Sequence, residues 1–297
     1  MQSMKSILIL FGLFFLTATV NADHHEYPEG HLLVDVEWLQ QHLESDQWHI
    51  IDMRAEDYSE GHIPGAVNIE GHQALVNPDH EVGSFLVNAE QFEYIMGSKG
   101  VAKDSDIVIY DEGQNLSAAR LFYALEYYGH EGEVRLLNGG FAAWEHNELP
   151  ISEEAAEITE VTYETDVQAD LQCDLTYITE RMDDEDVVIF DARSPEEYSG
   201  EERRADRYGH IPGAVNIEWS RTLEDGEIPY FKASGDISAM LEEHGITPDK
   251  EVIPHCQSNV RGAHVYFTLR LMGYDSVKPY EGSWAEYGNQ EGVPIEQ

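Results

Sequence analysis

The segment Gly61-His62-Ile63-Pro64-Gly65-Ala66-Val67-Asn68-Ile69-Glu70 recurs residue for residue at 209–218, an offset of 148 in a chain of 297 residues. An identity of that length at a fixed offset marks a duplicated unit. The flanks repeat too. Ile51-Asp52-Met53-Arg54 corresponds to Phe190-Asp191-Ala192-Arg193, and Asn138-Gly139-Gly140-Phe141-Ala142-Ala143-Trp144 to Tyr280-Glu281-Gly282-Ser283-Trp284-Ala285-Glu286 in style and place. The chain therefore reads as two similar domains, residues 23–150 and 161–297. Between them lies the acidic, Ala-rich stretch 151–160, which has no apolar period and reads as a linker.

Inside each repeat, short β-branched runs alternate with helical patterns. Ile107-Val108-Ile109-Tyr110 reads as a strand, followed by a helix over 118–128 that Gly129 ends. Asp186-Val187-Val188-Ile189-Phe190 is a strand of the second repeat, and its helix over 259–272 sets Val265, Leu269 and Met272 on one face before Gly273, a residue suited to a left-handed cap. Strand and helix alternating through short connections predict an α/β fold with a parallel sheet in each domain. Ligands of such sheets sit at the carboxyl ends of strands, where the chain turns into a helix.

Composition narrows the functional classes. Lys and Arg number 17 against 58 Asp and Glu, so the formal charge is 17 − 58 = −41. A surface of that sign repels phosphate backbones and anionic headgroups, which argues against nucleic-acid partners and electrostatic membrane attachment. It is also what a saline habitat favours. With 42% hydrophobic residues the chain still has a core to bury, and its two cysteines make neither a disulfide framework nor a four-thiolate zinc site. At the N-terminus, Lys5, an apolar run over 7–16 and then Val20-Asn21-Ala22 read as a signal peptide, residues 1–22. The run is well short of the roughly 20 residues a membrane span needs. The mature chain is expected to be exported, periplasmic or secreted, and free of the membrane after cleavage.

The two equivalent strand-to-helix turns differ. The first reads Tyr110-Asp111-Glu112-Gly113-Gln114-Asn115, and the second His255-Cys256-Gln257-Ser258-Asn259-Val260-Arg261. The second alone carries a nucleophile. A thiolate at a helix N-terminus is stabilised by the backbone N–H groups and by nearby cations. Arg261 adds a permanently charged fork for an anion. Cys256 is the candidate nucleophile, with Gln257, Ser258, Asn259, Val260 and Arg261 as the substrate-binding loop. Cys173, near the start of the second domain, reads as a bystander that is not stably paired with Cys256.

These features together, the paired Asp-x-Arg and Gly-His-Ile-Pro-Gly-Ala motifs, the loop from Cys256 to Arg261 and the Gly-Ser-Trp-Ala run at 282, resemble the rhodanese family of sulfurtransferases in its tandem form. The resemblance spans essentially all of the mature chain. It implies a catalytic second domain and a first domain whose cysteine position holds another residue, as Asp111 does. What both repeats share cannot by itself be the chemistry, so His62 and His210 read as structural. Arg193 pairs with a carboxylate in the structural reading and contacts substrate in the alternative.

The expected reaction takes a sulfane sulfur from thiosulfate or a related donor onto Cys256 as a persulfide, and passes it to cyanide or a thiol. No metal or organic cofactor is required. Family members of the animal type carry an arginine just before the aromatic of the Asp-x-Arg segment, where this chain has Glu197 beside Tyr198, which disfavours mercaptopyruvate as donor. The insertion between Asp191 and Gly209 brings Arg203, Arg204 and Arg207, whose placement the sequence leaves open. Two rival readings are a persulfide carrier that loads once for a partner protein, and a cysteine phosphatase or arsenate reductase. The second rival needs five residues between Cys and Arg, and this loop has four.

Overall fold

The computed structural model describes residues 27–297, so the signal peptide expected over 1–22 lies outside the described residues. The first domain is built on a five-stranded parallel sheet in the order β1, β5, β4, β2, β3. Its strands are β1 (Leu33–Val34), β2 (Trp48–Asp52), β3 (Val67–Asn68), β4 (Asp106–Tyr110) and β5 (Val134–Leu137), flanked by α1 (Val36–His42), α2 (Ala89–Ser98), α3 (Leu116–Tyr127) and α4 (Gly140–His146). The second domain has α5 (Leu175–Arg181), β6 (Val187–Asp191), α6 (Pro195–Ser199), β7 (Val215–Asn216), α7 (Ser234–Glu243), β8 (Glu251–His255), α8 (Val260–Leu271) and α9 (Ser283–Tyr287).

Its regular sheet has the order β7, β6, β8, and parallel bridges from Val252 to Val277 and from Tyr280 to Cys173 continue it in the order of the first domain. The α/β expectation, two tandem domains with parallel sheets, is met. β-branched residues in β2, β4, β6 and β8 suit strands buried on both faces. Register then matters for function: Asp52 lies beside Tyr110, and Asp191 beside His255. Each Asp-x-Arg motif is thereby set next to the turn in which chemistry is expected.

Helices α3 and α8 each follow one of those turns, and they pack on one another between the domains. Phe122 meets Phe267 edge-on with centroids 5.0 Å apart, and Tyr123 meets Tyr266 at 5.3 Å. Phe122 and Tyr266 occupy the same step of their helices, as do Tyr123 and Phe267, so the contacts are reciprocal and the domains face each other through a pseudo-twofold axis. The connection between domains is docked, and it extends beyond 160. Ser152 pairs with His62, Val161 N–H donates to Gly97 O at 3.1 Å, Tyr163 is buried, and Gln168 N–H donates to Tyr127 O at 2.7 Å.

Candidate active site

Cys256 follows β8 directly and is 1% exposed. The turn ends at Asn259, which sits in the left-handed region at φ 56° and leads into α8. Gly262 in the first turn of that helix lets the Asn259 side chain lie against it, where a Cβ would push Oδ1 aside. Three bonds tie the turn to the segment entering α9: Cys256 N–H donates to Ser283 Oγ at 3.3 Å, Trp284 N–H to Cys256 O at 2.9 Å, and Ala285 N–H to Gln257 O at 2.9 Å. Ser283, itself at φ 50°, donates its hydroxyl to Tyr280 O at 3.0 Å. Sequence reasoning used Ser283 for kinship only; its partnership with Cys256 depends on a separation of 27 residues that no local signal conveys.

The first domain shows what such a turn does with a negative charge. Asp111 Oδ1 accepts the N–H groups of Gly113 at 3.0 Å and Asn115 at 2.8 Å, and Oδ2 accepts that of Ser117 at 2.9 Å. The turn is one residue longer than its counterpart, and its amides converge on the side chain at the strand end. Convergent amides of this kind form an anion-binding nest. Aligned on the left-handed Asn115 and Asn259, the amides of Gly113, Asn115 and Ser117 match those of Gln257, Asn259 and Arg261 in the turn that follows Cys256.

Arg261 lies beside Cys256, and its fork is engaged. Nη1 reaches Glu197 Oε2 at 2.5 Å and Nη2 reaches Oε1 at 2.9 Å. Burial opposes the charge of Arg261, but the Glu197 hydrogen bond and the Cys256 sulfur together raise its pKa above the ordinary value. Glu197, itself buried, is held below the usual carboxylate range by Arg261 in spite of that burial. The expectation of a free Arg261 waiting for an anion therefore needs correcting: a carboxylate already sits on it. The insertion also finds its place here. Arg204 Nε lies 3.4 Å from Glu197 Oε1, and Gln257 Nε2 donates to Arg204 O at 3.2 Å. Arg203 stacks on Tyr208 and Arg207 binds Tyr287 O and Val293 O, so neither of them reaches the loop.

Arg193 is committed to the fold. Its Nε and Nη2 bind Asp191 at 2.9 and 2.6 Å, Nη2 also donates to Gly209 O at 2.9 Å, and the guanidinium lies over Trp284. Arg54 repeats this with Asp52, Gly61 O and Phe141 in the domain that lacks the cysteine. The substrate-contact alternative for Arg193 thus has no free donor fork to draw on. His62 and His210 stack on Tyr58 and Tyr198 and bond their carbonyl oxygens, again as a matched pair.

His255, next to Cys256, is fully buried, and burial drives its pKa down to about 4 against the pull of Asp191, whose Oδ2 is 3.7 Å away. It is neutral at pH 7. Cys173 and Cys256 are both free thiols; burial pushes the Cys173 thiol well above its ordinary range. A pocket of the first domain beside Glu112, about 600 Å³, is lined by Glu56, Asp57, Glu60, Glu112 and Glu145, and the guanidinium on its wall, Arg54, is engaged by Asp52. It has nothing to offer an anionic donor.

A buried cysteine at a strand end of the second of two duplicated α/β domains, in a turn whose twin gathers its amides on a carboxylate, defines a candidate thiol site. The chain matches the rhodanese-like domain twice, over residues 35–147 and 174–290, and belongs to that family. The thiosulfate sulfurtransferase of Azotobacter vinelandii is similar to it, 34% identical over 266 residues that cover 89% of this chain and 97% of that protein. The sulfur carrier protein TtuD of Thermus thermophilus is 34% identical over 286 residues, covering 91% and 98%. Among solved structures, SseA of Escherichia coli, described as a 3-mercaptopyruvate sulfotransferase, superposes with a TM-score of 0.76 at 30% identity, over 85% of this chain and 98% of that one.

Proposed function

We propose that this protein is a sulfurtransferase that moves a sulfane sulfur from thiosulfate, or a related small anionic donor, to a thiophilic acceptor through a persulfide on Cys256. The observation that carries the reading is the turn itself: Cys256 occupies the position at which the sister domain's amides gather around a carboxylate, with Arg261 beside it. The Cys256 thiolate attacks the outer sulfur of thiosulfate. The S–S bond of the donor breaks, sulfite leaves with the bonding pair, and the terminal persulfide sulfur carries the negative charge into the nest. Sulfite is a weakly basic leaving group, so a neutral His255 suffices and no proton donor is needed. Cyanide or a thiolate then attacks the terminal sulfur and regenerates the Cys256 thiolate.

Arg261 and Arg204 both lie on Glu197, so an anionic donor that reaches Cys256 shares the Arg261 fork with that carboxylate. Thiosulfate is favoured over mercaptopyruvate because Glu197 stands where a carboxylate of the donor would need a cation. Sulfurtransferase relatives covering most of the chain support the class. Export through residues 1–22 belongs to the same reading and rests on the sequence pattern at the N-terminus; N-terminal sequencing of the protein from its source tests it. Intact-mass analysis tests the chemistry. Thiosulfate should add the mass of one sulfur atom, cyanide should remove it, and Cys256→Ser should abolish the adduct. An adduct that persists in that variant, or maps to Cys173, overturns the assignment.

A second reading, a carrier that loads once and hands its sulfur to a protein, is favoured by one observation, the likeness to the Thermus sulfur carrier protein. Steady turnover with thiosulfate and cyanide separates the two, since a carrier stops after one equivalent.

A further inference from the structure

We infer that Arg120, contributed by the first domain, is a positioning residue for the cysteine loop of the second. Arg120 projects from α3 across the domain boundary and is buried. Its Nη2 pairs with Glu281 Oε1 and donates to Ser84 O at 2.8 Å, while Nη1 donates to Glu281 Oε2 at 3.0 Å and to the carbonyl of Asn259 at 3.4 Å. Glu281 Oε2 in turn accepts the Asn259 carboxamide N–H at 2.6 Å. Arg120 and Glu281 therefore hold Asn259, the last residue of the turn, from two sides. The start of the turn is held by Ser283, two residues after Glu281. Although burial opposes its charge, Arg120 is kept ionised chiefly by Glu281, and the Cys256 sulfur acts in the same sense.

The internal duplication shows that this is more than domain glue. Phe141 N–H to Asp111 O and Trp284 N–H to Cys256 O are equivalent bonds, so under the pseudo-twofold relation Glu281 matches Asn138, one residue on from the alignment read in the sequence, while Asn259 matches Asn115 and Arg120 matches His264. The neutral scaffold bond is present on both sides, as Leu86 N–H to Glu281 Oε1 at 2.9 Å and as Phe231 N–H to Asn138 Oδ1 at 3.0 Å. The charged clamp is not. His264 is enclosed by the rings of Phe231 and Trp219, and the Asn115 carboxamide has no hydrogen-bond partner among the described residues. The clamp accompanies the turn that bears the cysteine and is missing from the turn that lacks it. A role in joining the domains alone gives no reason for that asymmetry, whereas a need to keep the loop amides aimed at a charged sulfur does.

Three variants of the full chain test the inference: Arg120→Gln combined with Glu281→Gln, which leaves no uncompensated charge; Arg120→Lys; and Asn259→Gly, which keeps the left-handed backbone and removes only the carboxamide. The readouts are the thermal midpoint, kcat and KM for thiosulfate with cyanide, and the rate of Cys256 alkylation by iodoacetamide at pH 7. The paired variant and Asn259→Gly should each lower kcat at least fivefold with KM within twofold, and slow alkylation at least threefold. Arg120→Lys should retain more kcat than the paired variant. Folded variants with parental kcat and alkylation rate overturn the inference, whatever their thermal midpoint. The kinetic readouts rest on the sulfurtransferase reading. Were the parent itself inactive, that reading would fail while alkylation still decided the role of the clamp.

Discussion

Arg261 and Glu197 form a two-point ion pair at the mouth of the Cys256 turn, with Nη1 to Oε2 at 2.5 Å and Nη2 to Oε1 at 2.9 Å. A carboxylate so placed competes with an anionic donor for the same fork. Glu197→Gln keeps the shape and the contact with Ser194 N–H, and removes the competing charge. It should lower the thiosulfate KM several-fold. Arg261→Ala should reduce kcat/KM by roughly tenfold or more, the scale of one charge-assisted hydrogen bond. Opposite signs for the two variants in steady-state assays check the assignment; a higher KM for Glu197→Gln contradicts it.

The first domain should stay silent even with a thiol in place. Asp111→Cys in a Cys256→Ser background puts a sulfur into an amide nest, but the position matching Arg261 is Ser117 and the pocket is walled by carboxylates. Neighbouring negative charge disfavours a thiolate and repels the donor. Thiosulfate:cyanide turnover should not exceed that of the Cys256→Ser control. Turnover near the parental level would show that Asp111 alone silences the domain.

Removing one partner of the buried Arg193–Asp191 pair leaves an uncompensated charge, which costs about 3–5 kcal/mol. Arg193→Ala should therefore lose stability on that scale in urea unfolding. Arg193→Lys, without the fork that spans Asp191 and Gly209 O, should lose less and keep the thiosulfate KM within twofold. A KM raised tenfold in folded Arg193→Lys would restore a substrate role.

Acid should destabilise the fold through His264, whose pKa burial lowers from 6.5 to about 3, with the Gln114 backbone opposing weakly. The folded state binds this proton less tightly than the unfolded state. Its contribution is thus complete above pH 6.5 and is lost as pH falls towards 3. Over the window from pH 6.5 to 4, at about 1.4 kcal/mol per pH unit, the loss is on the order of 3 kcal/mol. His264→Phe, which keeps a ring against Phe231, should flatten the fall in thermal midpoint across that window. The slope that remains belongs in part to His255, which titrates in the same direction.

Much of the molecule was legible in the chain because duplication supplies its own control. The repeated Gly-His-Ile-Pro-Gly-Ala segment revealed two domains, and the comparison of Asp111 with Cys256 showed which of the two equivalent turns carries a thiol. Helix ends were equally readable: Gly129 and Gly273 do take positive φ, 71° and 78°, because a residue without Cβ adopts the left-handed cap at no steric cost. The Asp-x-Arg pairs were legible as structural for the same reason, being alike in both copies.

Contacts between residues distant in the chain were not. Glu197 is 64 residues from Arg261, and a carboxylate on that fork reverses the expected state of the site, from a vacant cation to a paired one. Arg120 and Glu281 are 161 residues apart and meet only because α3 and α8 pack about the pseudo-twofold axis. The sequence by itself determined the duplicated parallel α/β architecture and placed a cysteine at a strand-to-helix turn of one copy, because periodicity and strand-end position are local properties of a chain. Only the tertiary structure decided which charges face each other across the Cys256 turn, because ion pairing depends on distances of a few ångströms set by packing, and a sequence specifies those only through the whole fold.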